Sequence, residues 1–284
     1  MDVVLDTDTF NEIDDQFAIA YLLKNQPRLN TVALYAAPFS NEHAATAEIG
    51  MEMSYQEIGK ILRLMNADKP FFRGSTRYMA DEHTPVISDA ALDLARRIKD
   101  YSPENPLYVV AIGAITNVAS AMLLEPAMRD NAVVIWLGGH AHHFRDTAEF
   151  NMRQDIAAAR VVMTSGVRLV QLPCRGVVSG FTISKPELEY WLMGKNPLAD
   201  YLAQATVRAA ESYASGKPWT RPIWDVAAVA WLLNDGDRFM YSRRIPCRLP
   251  GYDGRYTAEE APEIDYVYYI CRDTLMADMI EKLT

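Results

Sequence analysis

Asp6, Asp8, Asp14 and Asp15, with Glu12 among them, crowd into one stretch that follows the apolar run Val3-Val4-Leu5 and leads into Gln16-Phe17-Ala18-Ile19-Ala20-Tyr21-Leu22-Leu23. Carboxylates this close raise one another's pKa and repel, so keeping several of them ionised requires a counter-charge, and a bound cation is the economical source. An oxygen-only donor set without Cys or His suits calcium, magnesium or manganese rather than zinc or copper. Calcium fits best, because it accepts many oxygens in flexible geometry, whereas magnesium demands an octahedron and usually a phosphate partner. No GxxxxGK[ST] phosphate cradle occurs in the chain. Helix capping is a simpler explanation for Asp14 or Asp15, but it leaves Asp6 and Asp8, on the strand side, without a role.

Other residues suited to chemistry lie far along the chain. Glu149 and Asn151 flank Phe150, and in an extended segment both would point the same way, a carboxylate and an amide able to clamp vicinal hydroxyls. Asp155 reads as the cap of the helix that follows. Asp225 after Trp224 is either the N-cap of an apolar helix or a distant carboxylate that completes a calcium shell. His140, His142 and His143 have no Cys or carboxylate at ligand spacing, so they read as a solvated loop rather than a zinc site, with one of them available as an acid.

The elements that must position these residues follow from hydrophobic periodicity. Strand-like runs at Val3 to Leu5, Thr31 to Ala36, Leu107 to Ile112, Ala132 to Leu137 and Val167 to Leu172 alternate with helical patterns at Asp14 to Leu23, Glu42 to Leu64, Asn117 to Leu124 and Asp155 to Thr164. Such alternation predicts an α/β fold with a mainly parallel sheet flanked by helices. Beyond Ser184 the pattern turns helical, at Pro186 to Met193, Pro197 to Ser215 and Val226 to Leu233, and the chain closes with a strand near Tyr266 to Cys271 and a helix from Thr274 to Leu283. In such sheets ligands gather at the carboxyl ends of the strands. The polar groups there are Asn41, Gly113-Ala114-Ile115-Thr116-Asn117 and Gly138-Gly139-His140. Gly113 would let backbone approach a ligand, with the carbonyl of Ile112 as a metal ligand.

With 284 residues, 50% of them hydrophobic, and no linker, repeat or composition shift, the chain reads as a single domain spanning 1–284. A formal charge of −9 argues against nucleic acid and anionic membrane as partners and for a small neutral or cationic substrate. Cys174, Cys247 and Cys271 form neither a disulfide framework nor a zinc motif, and no apolar stretch suggests a membrane span or leader, so a cytoplasmic location is expected.

Taken in order, Asp6-x-Asp8, Asp14-Asp15, Asn41, Gly113 to Asn117, Leu137-Gly138-Gly139, Glu149-Phe150-Asn151 and Asp225 resemble the motifs of the inosine-uridine-preferring nucleoside hydrolases. The resemblance implies a Rossmann-like α/β domain that cleaves the N-glycosidic bond of ribonucleosides with a calcium ion at the base of the pocket. It implies that Asp8, Asp15, the carbonyl of Ile112 and Asp225 hold the metal, and that Asp8 takes a proton from the attacking water. Asp14, Asn41, Glu149, Asn151 and Asp225 would hold the ribose hydroxyls, and Asp6 would support the metal ligands. A nucleoside or related riboside is the implied substrate, and a homodimer or homotetramer the implied assembly. The chain departs from the family pattern at three places. The turn Thr9-Phe10-Asn11-Glu12-Ile13 is two residues longer than usual and lacks its Pro and Gly, so Thr9, Phe10 and Asn11 are placed to enter the pocket. Leu137 replaces a methionine. Trp224 stands where many members have histidine, similar to the purine-preferring branch, in which tryptophan stacks on the base. A hydrolase of another riboside, and a non-catalytic calcium-dependent sugar binder, are the competing readings.

Overall fold

The computed structural model describes all 284 residues. Strands β1 (Asp2–Thr7), β2 (Asn30–Ala36), β4 (Leu107–Ala111), β5 (Ala132–Leu137) and β6 (Arg168–Leu172) are built largely from buried apolar residues, as strands covered on both faces require, while β3 (Phe71–Arg73) is a short edge strand with no buried residue. A short antiparallel pair, β7 (Thr182–Ser184) and β8 (Thr220–Pro222), stands apart from the sheet, which β9 (Met240–Pro246) and β10 (Glu263–Ile270) complete. The spatial order is β3-β2-β1-β4-β5-β6-β10-β9, parallel throughout except for the pairing of β9 with β10.

Period-two alternation divides each strand between two cores. Val3 and Leu5 face the helices Asp14–Lys24, Val226–Trp231 and Arg272–Leu283, while Val4 faces Asp89–Arg97, Thr116–Leu124 and Ile156–Thr164. From β1 the chain winds outward through β2 and β3, then returns to place β4 on the other side of β1. That reversal opens a crevice beyond the carboxyl ends of β1 and β4, where open α/β sheets bind ligands. Asp8 and Ile112 are the residues that emerge there.

The helix expected from Glu42 begins instead at Ala47. Asn41 Oδ1 accepts from the amides of His43 (2.8 Å) and Ala44 (3.1 Å), a local turn that competes with helix, and Thr46 is the true N-cap, accepting from Ile49 N at 3.2 Å. The extended segment expected at Glu149 to Asn151 is likewise a helix start. Glu149 is the N-cap of the helix Phe150–Gln154, accepting from the amides of Asn151 and Met152, each at 2.9 Å.

Candidate active site

Asp8 leaves the end of β1, and Asp14 and Asp15 form the first turn of the helix Asp14–Lys24, where the helix dipole favours negative charge. Asp225 sits at the start of Val226–Trp231 but makes no capping hydrogen bond, so capping does not explain its carboxylate. That carboxylate joins Asp14 and Asp15, with one oxygen from each within 4.8 Å of the others. Asp8 stands beside this triad, near enough to Asp15 and Asp14 for their charges to act on it. Together with Ile112, Glu149, Asn151 and Trp224 these residues line a cavity of about 280 Å³. Asn41 does not line it. Its Nδ2 donates to Asn11 Oδ1 (2.9 Å), and Asn11 is what reaches the cavity wall.

Each carboxylate is buried, and each is raised in pKa by that burial first. Asp6 is pushed up to about 7, with its bond to Asn117 opposing the shift. Asp14 is pushed up to about 7 by burial and then by Glu12, against the pull of Arg221. Asp8, Asp15 and Asp225 are held well above the ordinary carboxylate range by burial and by one another. Thr7 Oγ1 donates to Asp15 Oδ1 (2.5 Å) and Asn117 Nδ2 to Asp6 Oδ1 (2.7 Å). Asp6 Oδ2, Asp8 Oδ2 and Asp14 Oδ1 remain buried with no hydrogen bond. Buried anions without partners are costly, and a hard cation among them offsets both the desolvation and the mutual repulsion. The donor set therefore fits a divalent oxygen-seeking metal.

Glu149 and Asn151, the residues expected to clamp the sugar, are held firmly by hydrogen bonds. Glu149 Oε2 accepts a further amide from Gly139 (2.9 Å), and Asn151 spends both amide hydrogens on the carbonyls of Ile112 (3.2 Å) and Leu137 (3.0 Å). Asn151 thereby fixes the carbonyl expected to face the metal. Gly113 is needed for a close approach. A Cβ there would lie 2.9 Å from Ala37 Cβ and 3.2 Å from Asp8 Cβ and Cγ.

Glu12, Arg153, Cys174 and Arg175 also line the cavity though sequence reasoning assigned them no role there, whereas Asn11 and His140 line it as residues already singled out from the sequence. Cys174 and Arg175 follow the end of β6, so the strand-end logic that singled out the other loops would have found them. The histidine loop is solvated only at His143, which is exposed. His140 is 4% exposed, and His142 bonds to Gln171 Oε1 through Nε2 (3.2 Å) and packs against Tyr256 and Tyr266, because aromatic residues from the distant β10 region cover this turn.

A family model described as inosine-uridine preferring nucleoside hydrolase matches residues 3–261. The chain belongs to the inosine-uridine preferring nucleoside hydrolase family. Membership makes it an enzyme of the nucleoside hydrolase class. The non-specific ribonucleoside hydrolase RihC of Salmonella paratyphi B (strain ATCC BAA-1250 / SPB7) is 25% identical over 258 residues, covering 81% of this chain and 78% of that protein. Identity to a protein described as a pyrimidine-specific ribonucleoside hydrolase, RihB of Shigella boydii serotype 4 (strain Sb227), is higher, 34% over 109 residues, but spans only 37% of this chain and 41% of that one. The structure of a purine-preferring ribonucleoside hydrolase from Gardnerella vaginalis superposes with a TM-score of 0.77 at 17% identity, covering 100% of this chain and 98% of the other. The fold is that of a nucleoside hydrolase, as the strand order and helical carboxyl-terminal part anticipate.

Proposed function

We propose that this enzyme hydrolyses the N-glycosidic bond of ribonucleosides, giving ribose and free base, in a calcium-dependent reaction with purine preference. The observation that carries the reading is one cavity wall in which the buried carboxylates of Asp8, Asp14, Asp15 and Asp225 stand together with Glu149, Asn151 and Trp224. Asp8, Asp15, Asp225 and the carbonyl of Ile112 would hold the cation, with Asp14 in reach and Asp6 supporting from behind. When bound, the cation keeps these carboxylates ionised and polarises the attacking water.

Asp8, with an unpartnered oxygen, takes the proton of that water. Asp14, Asp225, Glu149 and Asn151 hold the ribose hydroxyls, and Asn41 positions Asn11 at the edge of the cavity. As the C1′–N bond lengthens, positive charge grows on the sugar, and the surrounding carboxylates stabilise it. Trp224 stacks on the departing base, and the two-ring face of a purine gives it more to stack on. A panel of nucleosides, assayed with and without chelator, tests the reading. Release of base from inosine faster than from uridine, abolished by chelator, supports it; binding of ribose without turnover of any nucleoside refutes it in favour of a sugar binder.

A second reading changes the leaving group. A neighbouring cavity of about 740 Å³, shared through Asn11, Glu12, Phe150 and Arg153, lies under the long Phe10 to Ile13 turn and is bordered by Tyr213 and Arg221. It has room for an aglycone larger than a base, which bulkier ribosides in the same panel would reveal. No helix is long and apolar enough to cross a membrane. We place the enzyme in the cytoplasm because its three cysteines are free, and as a homodimer or homotetramer, which light scattering tests.

A further inference from the structure

Carboxylates and arginines both line the cavity, and the two arginines, Arg153 and Arg175, are exposed at its rim. Along the carboxyl edge of the sheet the strands run β1, β4, β5, β6. The aspartates emerge at β1, His140 follows β5, and Arg175 follows β6. With neighbouring strands about 4.8 Å apart, the two ends of the cavity are separated by roughly 14 Å. Arg175 and Arg153 both line it. The arginines Arg97, Arg160 and Arg221 are paired with carboxylates, but neither cavity arginine has an ion-pair partner. Their charge is available to whatever enters.

The basic end is also built. Backbone bonds from Ala141 N to Arg175 O (2.9 Å) and from Cys174 N to Gly139 O (2.8 Å) tie the loop after β5 to the loop after β6, so His140 and Arg175 are held side by side. His140 is 4% exposed, lines the cavity, and has an Nδ1 buried without a hydrogen bond. Its Nε2 lies 3.8 Å from Asp146 Oδ1, an acid that is half-exposed. Glu149, the nearest carboxylate that lines the cavity itself, is already engaged by the amides of Gly139, Asn151 and Met152, which damps its repulsion of an anion. An unpaired guanidinium beside an imidazole in the tautomer that carries its hydrogen on Nδ1 is a receptor for an oxyanion.

The orientation of the substrate follows from the cavities, and rests on the proposal that ribose fills the first. With the 2′ and 3′ hydroxyls at the carboxylates, the base goes toward the larger second cavity, bordered by the Ser40 to His43 loop after β2. The other side of the ring, carrying C5′, then faces β5 and β6. We propose that the preferred substrates carry an anionic group on C5′, a phosphate monoester, bound by Arg175 and His140 with Arg153 adding to the local field. The enzyme is then a hydrolase of nucleoside 5′-monophosphates. Water adds its oxygen to C1′, the C1′–N bond breaks, the base leaves with a proton, and ribose 5-phosphate is the second product.

The test compares calcium-loaded enzyme on inosine, inosine 5′-monophosphate and orotidine, whose carboxylate lies on the base. A charge-assisted contact contributes roughly ten- to hundredfold in affinity, so kcat/KM for the 5′-monophosphate should exceed that for inosine by at least about tenfold. The ratio of the two should fall about tenfold in Arg175→Gln. Ribose 5-phosphate should raise the melting temperature of the wild-type protein more than ribose does, and lose that advantage in the variant. Inosine turned over as well as or better than its 5′-monophosphate overturns the proposal and leaves nucleoside hydrolysis standing. Orotidine preferred over the monophosphate puts the anion on the base and overturns the 5′ assignment. If metal-loaded, folded protein turns over none of them, nucleoside hydrolysis itself has failed, and ribose 5-phosphate binding no better than ribose then overturns this proposal separately.

Discussion

Calcium added to chelator-treated protein should raise its melting temperature strongly at pH 8 and much less at pH 5.5. Asp6 and Asp14 are each pushed up to about 7 from 3.8. A carboxyl raised in this way contributes stability that is present below pH 3.8 and lost as the pH climbs through 7. At about 1.4 kcal/mol per pH unit, the loss for one such group is on the order of 4 kcal/mol by pH 8. A cation that binds only the folded state restores a similar amount, about 4 kcal/mol at a thousandfold excess over its Kd. For a chain of this size that corresponds to roughly 8 °C. At pH 5.5 the metal must displace protons. One proton displaced from a group near 7 weakens binding about thirtyfold, removing about 2 kcal/mol and roughly half of the shift. His142, lowered to about 4 by burial, acts in the opposite direction, its contribution being complete above 6.5 and lost as the pH falls toward 4. It acts equally with and without metal, so the difference between the two melts is the diagnostic quantity. Differential scanning calorimetry of chelated and calcium-loaded protein supplies it. A calcium shift that is equal at both pH values, or that survives intact in Asp15→Asn, would refute the assignment of the carboxylates to a metal.

Further expectations are open to direct measurement. Trp224→Ala should reduce kcat for purine nucleosides a hundredfold or more while leaving the calcium-induced melting shift intact; unchanged kinetics would remove Trp224 from the mechanism. Gly113→Ala forces a Cβ against Ala37 and Asp8, so steady-state kinetics should show a drop in kcat of more than tenfold with the protein still folded by circular dichroism. Asn117→Ala strips Asp6 and the amide and hydroxyl of Ser75 of a buried partner, and thermal melts should report a loss of about 1–3 kcal/mol. Asp225→Ala should abolish both calcium binding by calorimetry and nucleoside hydrolysis, and retention of either would separate that carboxylate from the cluster.

Much of the site could be read from residue types because its parts follow strands that are themselves strongly apolar. Asp8 after β1, Ile112 after β4, and Leu137 and His140 around the end of β5 reach one crevice for the same topological reason. Local capping chemistry hid the rest. Asn41, expected at the sugar, lines the neighbouring cavity, and its side chain bonds its own turn and Asn11. Glu149 looked extended because alternation with Asn151 mimics a strand, yet its carboxylate collects three amides at a helix start. The long turn after Asp8 was anticipated as the irregular part of the site, and Asn11 does reach the cavity, but Glu12 also enters it and Arg221 of β8 meets Glu12 at 2.9 Å. A contact between residues more than two hundred positions apart leaves no mark in local periodicity. Strands β3, β7, β8 and β9 escaped for a related reason: three of them are three residues long, and β9 is mostly exposed and polar at the sheet edge.

The most direct measurement is the stoichiometry of products from calcium-loaded enzyme and a purine riboside, followed by chromatography of the base and a reducing-sugar assay. Equal amounts of free base and ribose sugar, appearing with calcium, absent with chelator and absent in Asp8→Asn, are the predicted result. Folded, calcium-binding protein that releases no base from any ribonucleoside or its 5′-monophosphate would contradict it.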